Sequence, residues 1–149
     1  MSNFKFGKRS MTALGTCHPG LQLIADEALA VSPYDFTIIH GWRDMKTQNE
    51  MYFAGNSRKQ YPNSRHNKTS DPQAVHVEGM SDALDFAPFV NGKINWFDTH
   101  IFAVIAGCFM ASANRAGHTL RWGGDWNSDG RTYDQTLMDY GHLELMWRT

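Results

Sequence analysis

The sequence predicts an α+β fold, with two or three helices packed against a small antiparallel sheet. Three observations predict it. Apolar residues recur at helical spacing over residues 19–31 and 98–116. Elsewhere, short runs of β-branched and aromatic residues stand between clusters of turn formers. After one of those runs lies Asn91-Gly92, a pair suited to the tight hairpin that joins antiparallel strands.

In chain order, "PGLQLIADEALAV" (19–31) is the first helix, with Leu21, Ile24, Ala25 and Ala28 at helical spacing. Pro19 stands near its start, where the missing N–H costs nothing. "SPY" breaks it, and "DFTIIHG" (35–41) follows as a short strand. Residues 44–54 read as an amphipathic helix. Residues 55–80 are dominated by Asn, Ser, Pro, Asp and Gly, which predicts a long irregular loop of the kind that usually carries function. "DALDFAPFV" (82–90) alternates as a strand does, with Ala83, Asp85 and Ala87 on one face and Leu84 and Phe86 on the other. The longest helical pattern, 98–116, opens on Asp98 as a cap and closes at Gly117. "HTLRWGGDW" and "GHLELMW" supply the last two strands. No repeat or low-complexity linker interrupts the chain, so residues 1–149 are expected to form a single domain.

Composition narrows the function. Fourteen basic and 15 acidic residues leave a net charge of −1 with no basic run, so a nucleic-acid partner is not expected. The most apolar segment, "IFAVIAGCFMASA", is too short to span a bilayer, and no membrane partner is expected. "MSNFKFGKRSMTALG" has no continuous apolar stretch behind its basic residues, so the chain is expected to lack a Sec signal peptide and to start in a cytoplasm. Cys17 and Cys108 belong to no CxxC pattern and are expected to be reduced and buried. Trp96, Trp122 and Trp126 are expected in the core or along a groove wall, and Met45, Met51 and Met110 in packing.

Seven histidines are present, and no HExxH helix. The remaining donors on loop or strand segments are His66 or His76, Asp85 and His142. A catalytic zinc takes three N/O ligands and keeps one position open, which a His, a carboxylate and a second His satisfy. Asp85 is the informative member, because a carboxylate inside "ALDFA" is costly to bury alone. A structural salt bridge would also explain it. Asp139, three residues before His142 in "DYGH", is placed to take a proton from an activated water as general base.

In order, "SRH", "SDALDFAP", "LRWGGDW" and "DYGHLEL" resemble the VanY-type zinc peptidases. That family includes D-alanyl-D-alanine carboxypeptidases and phage endolysins that cleave the L-alanyl-D-glutamate bond of peptidoglycan. Its pattern of Ser-x-His, then Gly/Ser-x-Ala-x-Asp, then Asp/Glu-x-x-His falls here on Ser64–His66, Ser81–Asp85 and Asp139–His142. "FKFGKRS" and "LQLIADEALAVSPYDFTIIHGWRD" resemble the endolysins too, so the likeness covers nearly the whole chain. The resemblance implies a hedgehog/D-Ala-D-Ala-peptidase-like fold. It departs from the pattern in one place. The commonest form sets the histidine seven residues before the aspartate, whereas His66 lies 19 before Asp85 and His76 lies nine before it. Loop length is cheap in free energy, so the "SxH" signature favours His66, with His76 in "HVEG" as the alternative ligand.

The resemblance implies further roles. Arg43 in "HGWRD" would face the substrate and stabilise the oxyanion, or else be a surface arginine pairing with Asp44 or Glu50. Gln48, one helical turn on, would support the same pocket. Glu144 shares a strand face with His142, as a supporting partner or a salt-bridge residue. "DWNSDGRTYDQT" opens like a calcium loop, with Asp125, Asn127 and Asp129 before Gly130 and Asp134 as the nearest later carboxylate, or it is a solvated turn. Some related endolysins have a calcium-responsive loop in this place.

The expected protein is a monomeric zinc peptidase, a phage endolysin reaching the wall from the host cytoplasm after holin-type release. Its ligands would be His66, Asp85 and His142, with Asp139 and Arg43 catalytic and peptidoglycan as its partner. The competing expectations are a D-alanyl-D-alanine carboxypeptidase on the same scaffold and a non-catalytic wall-binding module with structural zinc.

Overall fold

The computed structural model describes residues 3–74, 76–132 and 139–147, and among them four helices and five strands form. The helices are α1 (Lys8–Leu14), α2 (Pro19–Val31), α3 (Met45–Phe53) and α4 (Thr99–Arg115); the strands are β1 (Phe36–His40), β2 (Ala83–Val90), β3 (Lys93–Ile94), β4 (Thr119–Trp122) and β5 (His142–Met146). The architecture is α+β as expected, with one helix more than the pattern predicts. α1 buries only Ser10 and Leu14, so it shows no apolar stripe. What fastens it is polar: the Ser10 hydroxyl accepts the Ile38 N–H at 3.0 Å.

Caps set the other helix starts. His18 Nδ1 accepts the Gly20 N–H at 2.9 Å before α2, Asp44 accepts from Thr47 at 2.8 Å before α3, and Asp98 accepts from Ile101 at 3.2 Å before α4. α4 closes into Gly117, whose φ of +78° is the left-handed conformation that favours glycine.

The sheet runs β1-β2-β5-β4, with β3 pairing the far end of β2, and every ladder is antiparallel. Its register separates two kinds of chemistry. Pairs Ile38↔Phe86, Leu84↔Leu143 and Leu120↔Leu145 stand on one face. Pairs Asp85↔His142, Ala83↔Glu144 and Arg121↔Glu144 stand on the other. The first face meets α2 and α4 in a core that includes Ile24, Ala28, Ile105 and Phe109. Phe36, Phe86, Phe102 and Phe109 stack within it at centroid spacings of 5.2–5.9 Å. Each such buried ring contributes roughly 1.5–3 kcal/mol of transfer free energy.

A bulge in β1 serves the polar face. Between Ile38 and His40 the pairing with β2 shifts, so that His40 stands opposite Asp85. Unbroken register would have put His40 opposite Leu84, on the core face. The bulge turns an imidazole away from the apolar layer and towards Asp85.

Residues 55–80 contain no helix or strand among those described, as the composition predicts. Cys17 is a buried free thiol and Cys108 is free and half-buried. Trp122 joins the core and Trp126 is half-buried, but Trp96 is 54% exposed, against expectation. Met45 and Met110 also face solvent rather than packing, because α3 buries only Gln48 and α4 turns Phe109, not Met110, inward.

Candidate metal centre

The polar face of the sheet supplies two of the donors. β2 and β5 pair Asp85 directly with His142, so register alone brings a carboxylate and an imidazole side by side. The third comes from the loop. The Arg43 N–H donates to the His66 carbonyl at 2.8 Å, Asn67 Nδ2 donates to the Arg43 carbonyl at 3.0 Å, and the Trp42 indole donates to the Asn67 carbonyl at 3.1 Å. These bonds lay the "SRHN" turn over the end of β1 and bury His66 to 1% exposure.

His66, Asp85 and His142 converge. Among the described residues they are the group of three such side chains whose ligand atoms lie close enough to share one ion. His66 Nε2 stands 3.2 Å from His142 Nδ1, and Asp85 Oδ1 stands 3.3 Å from the first and 3.4 Å from the second. Atoms held at zinc–nitrogen length from a tetrahedral centre are about 3.3 Å apart. His76, the alternative ligand, is exposed in the loop and outside this group.

The surrounding bonds decide which atoms face inward. His66 Nδ1 lies 2.8 Å from the Gly41 carbonyl, which can only accept, so Nδ1 carries the proton and Nε2 offers its lone pair. Gly41 must be glycine, because a Cβ there would collide with the Ala13 carbonyl. His142 Nε2 donates to Glu144 Oε1 at 3.0 Å, leaving Nδ1 as the inward atom. Glu144 Oε2 in turn accepts from Arg121 at 3.2 Å and lies 3.4 Å from Arg65 Nε. Arg43 Nη2 donates to Asp85 Oδ2 at 2.5 Å, and His40 Nδ1 stands 3.3 Å from the same oxygen. Asp85 Oδ1 is buried and has no hydrogen bond at all. A buried carboxylate oxygen without a donor is costly, and a cation is the partner its setting suits. The donor set of two imidazole nitrogens and one carboxylate oxygen fits zinc.

Electrostatics agree with the geometry. Burial pushes His66 below its usual range, so it is neutral near pH 7. Burial raises Asp85, but the neighbouring imidazoles outweigh it and hold the carboxyl well below its ordinary value. Burial lowers His142, yet the facing Asp85 and Glu144 carboxylates prevail and raise it to about 9. A cation arriving at neutral pH therefore competes with one proton, the one on His142.

Asp139 lines the same cavity of about 440 Å³ as His66, Arg43 and His142. Its N–H donates to the Gly123 carbonyl at 3.0 Å, and its carbonyl accepts from the His142 N–H at 3.1 Å, which fixes it one turn ahead of β5. Gly123 permits this approach, since a Cβ there would strike the Asp139 carbonyl. Removal of water by the cavity walls and the negative Asp85 raise the Asp139 carboxyl above its usual value, as a proton acceptor requires.

Arg43 differs from its expected setting. It is buried to 7% exposure, neither a surface pair of Asp44 nor of Glu50. One guanidinium nitrogen holds Asp85 and another donates to Gln48 Oε1 at 3.3 Å, while Nε–H is buried without a partner. Gln48, fully buried, also receives Asn67 Nδ2 at 3.3 Å. Asp125 accepts from the Asp129 and Gly130 N–H groups at 3.2 and 2.9 Å, and Asp129 accepts from Arg131 at 2.8 Å, so these carboxylates close local turns. Asp134 lies outside the described residues.

Sequence reasoning named Glu144 but missed His40, Asn67, the Gly41 carbonyl, and Arg65 and Arg121, which brace Glu144. The braced carboxylate has a testable consequence. Glu144→Gln weakens the acceptor that fixes the His142 tautomer, and metal affinity should fall by roughly 10–100-fold in a competition titration. An unchanged affinity in a folded variant would remove Glu144 from the site.

Three comparisons bear on this arrangement. The model of a family described as phage L-alanyl-D-glutamate peptidase matches residues 1–146. The chain is 38% identical over 147 residues to the L-alanyl-D-glutamate peptidase of Escherichia phage T5, covering 97% of this chain and 99% of that protein. Among solved structures, the Serratia marcescens L-Ala D-Glu endopeptidase ChiX matches with a TM-score of 0.74 and 28% identity, over 97% of this chain and 92% of the other.

Proposed function

Because the chain belongs to the phage L-alanyl-D-glutamate peptidase family, we propose that it is an endolysin hydrolysing the L-alanyl-D-glutamate bond in the stem peptide of bacterial peptidoglycan, with zinc held by His66, Asp85 and His142. One observation carries the metal reading: two inward imidazole nitrogens and a carboxylate oxygen without a hydrogen bond lie 3.2–3.4 Å apart. Zinc held there would supply Lewis acidity toward the scissile carbonyl and the attacking water.

The chain's own groups do the rest. Asp139 accepts the proton of that water and returns it to the leaving glutamate nitrogen. Arg43 clamps Asp85 Oδ2, so that Oδ1 stays turned inward, and its fixed positive charge in the cavity wall stabilises the developing oxyanion. Glu144 and the Gly41 carbonyl hold the two imidazoles in their working tautomers.

The reading includes one peptidase domain acting as a monomer, which meets the wall after leaving the host cytoplasm. No described helix is long and apolar enough to cross a membrane. It also includes calcium at Asp125, Asn127, Asp129 and Asp134, supported by the D-x-N-x-D-G pattern.

The bond is tested by digesting purified sacculi and reading the fragments by mass spectrometry. Stems beginning at glutamate, with alanine left on the glycan, are expected. Release of terminal alanine alone would identify a carboxypeptidase instead.

A further inference from the structure

The cavity is unevenly charged, and the imbalance lies in one part of its wall. Arg43, Arg58, Lys59, Arg65 and Arg121 all line it, against Asp139 and Glu144. Three of the five cations are engaged: Arg43 with Asp85, and Arg65 and Arg121 with Glu144. Arg58 and Lys59 are exposed at the rim, and among the described residues neither has a carboxylate partner within ion-pair distance.

Their backbone is nonetheless held. Gln48 Nε2 donates to the Ser57 hydroxyl at 2.9 Å and to the Lys59 carbonyl at 2.7 Å, and Asn49 Oδ1 accepts the Tyr61 N–H at 2.9 Å. The same Gln48 side chain receives Arg43 and Asn67. The two rim cations thus ride on a loop fastened to the residues that brace Asp85 and His66. Such fastening lowers the cost of ordering a binding loop.

Resting on the proposed cleavage, the substrate's charge is one-sided. Its alanine joins the glycan through a neutral amide, whereas its glutamate keeps one carboxylate beyond the carboxyl that continues the stem. We propose that Arg58 and Lys59 form the subsite for this free glutamate carboxylate, which sets the leaving half of the peptide against the 55–60 loop. These residues then determine specificity by distinguishing an acidic stem from one in which that carboxylate is amidated. Being at the rim, the attraction is screened by salt.

The test uses two synthetic stem peptides, identical except for a free carboxylate or a carboxamide on the glutamate, and compares kcat/KM. The wild-type protein should favour the carboxylate by about two- to fivefold at low salt, the worth of a solvent-exposed ion pair. In Arg58→Gln/Lys59→Gln the ratio should fall close to one, and Arg58→Glu/Lys59→Glu should invert it. A wild-type ratio near one, or a wild-type ratio retained in the double variants, overturns the subsite and leaves the cleavage reading standing. Failure of the wild-type protein to cut either peptide overturns the cleavage reading, and the subsite with it.

Discussion

His66→Ala is expected to lose both its metal and its cleavage of cell walls, while His76→Ala keeps both. His66 is fully enclosed, its proton is committed to the Gly41 carbonyl, and its free nitrogen points at Asp85 and His142. Removing it takes away one of three ligands and leaves an unpaired carboxylate oxygen without the ion that would offset it. The fall in kcat/KM should be roughly 10³-fold or more, the scale at which a cooperating site loses a member. His76 is exposed and apart from the cluster, so its replacement should change activity by no more than about twofold, as surface substitutions usually do. Metal content and wall hydrolysis, measured side by side on both variants, decide the matter. A metal-free His76→Ala beside an active His66→Ala would reverse the assignment.

Asp139→Ala should separate binding from chemistry. The carboxylate shares the cavity with the three donors but is not one of them. Metal content should therefore stay near that of the parent, and KM should change little. The kcat should drop by roughly 10²–10⁴-fold, the contribution of a positioned general base. Asp139→Asn, which keeps the shape and loses the proton affinity, should show the same loss. Cleavage that survives both substitutions would mean that another group takes the proton.

How much of this could be read beforehand differs from residue to residue. Strand alternation in "DALDFAPFV" places Asp85 opposite the face of Leu84 and Phe86, and an i, i+2 spacing puts Glu144 beside His142. Both are local periodicities, so the chain displays them. Which strand neighbours which is not local. The Asp85↔His142 pairing links segments far apart in sequence, and the bulge that turns His40 to Asp85 leaves no mark in "FTIIHG". The Gly41 carbonyl is a backbone atom, so no residue type announces it. Arg65 and Arg121 read as ordinary surface cations until Glu144 is found between them. α1 escaped because its anchoring is a serine hydroxyl rather than an apolar stripe. Met45 and Trp96 misled in the opposite sense: apolar identity promised burial, yet the fold leaves both in solvent.

The central claim is that two imidazoles and one carboxylate, gathered from a loop and two strands, hold a single divalent ion. Zinc titrated into metal-stripped protein across a range of pH tests it most directly. One ion should bind per chain, and affinity should climb about tenfold per pH unit on the acid side of the His142 pKa of about 9, since one proton must leave that ring. His66 and Asp85, both lowered, add no proton of their own near neutrality. Absence of saturable binding, or digestion of cell walls by rigorously metal-free protein, would contradict the account.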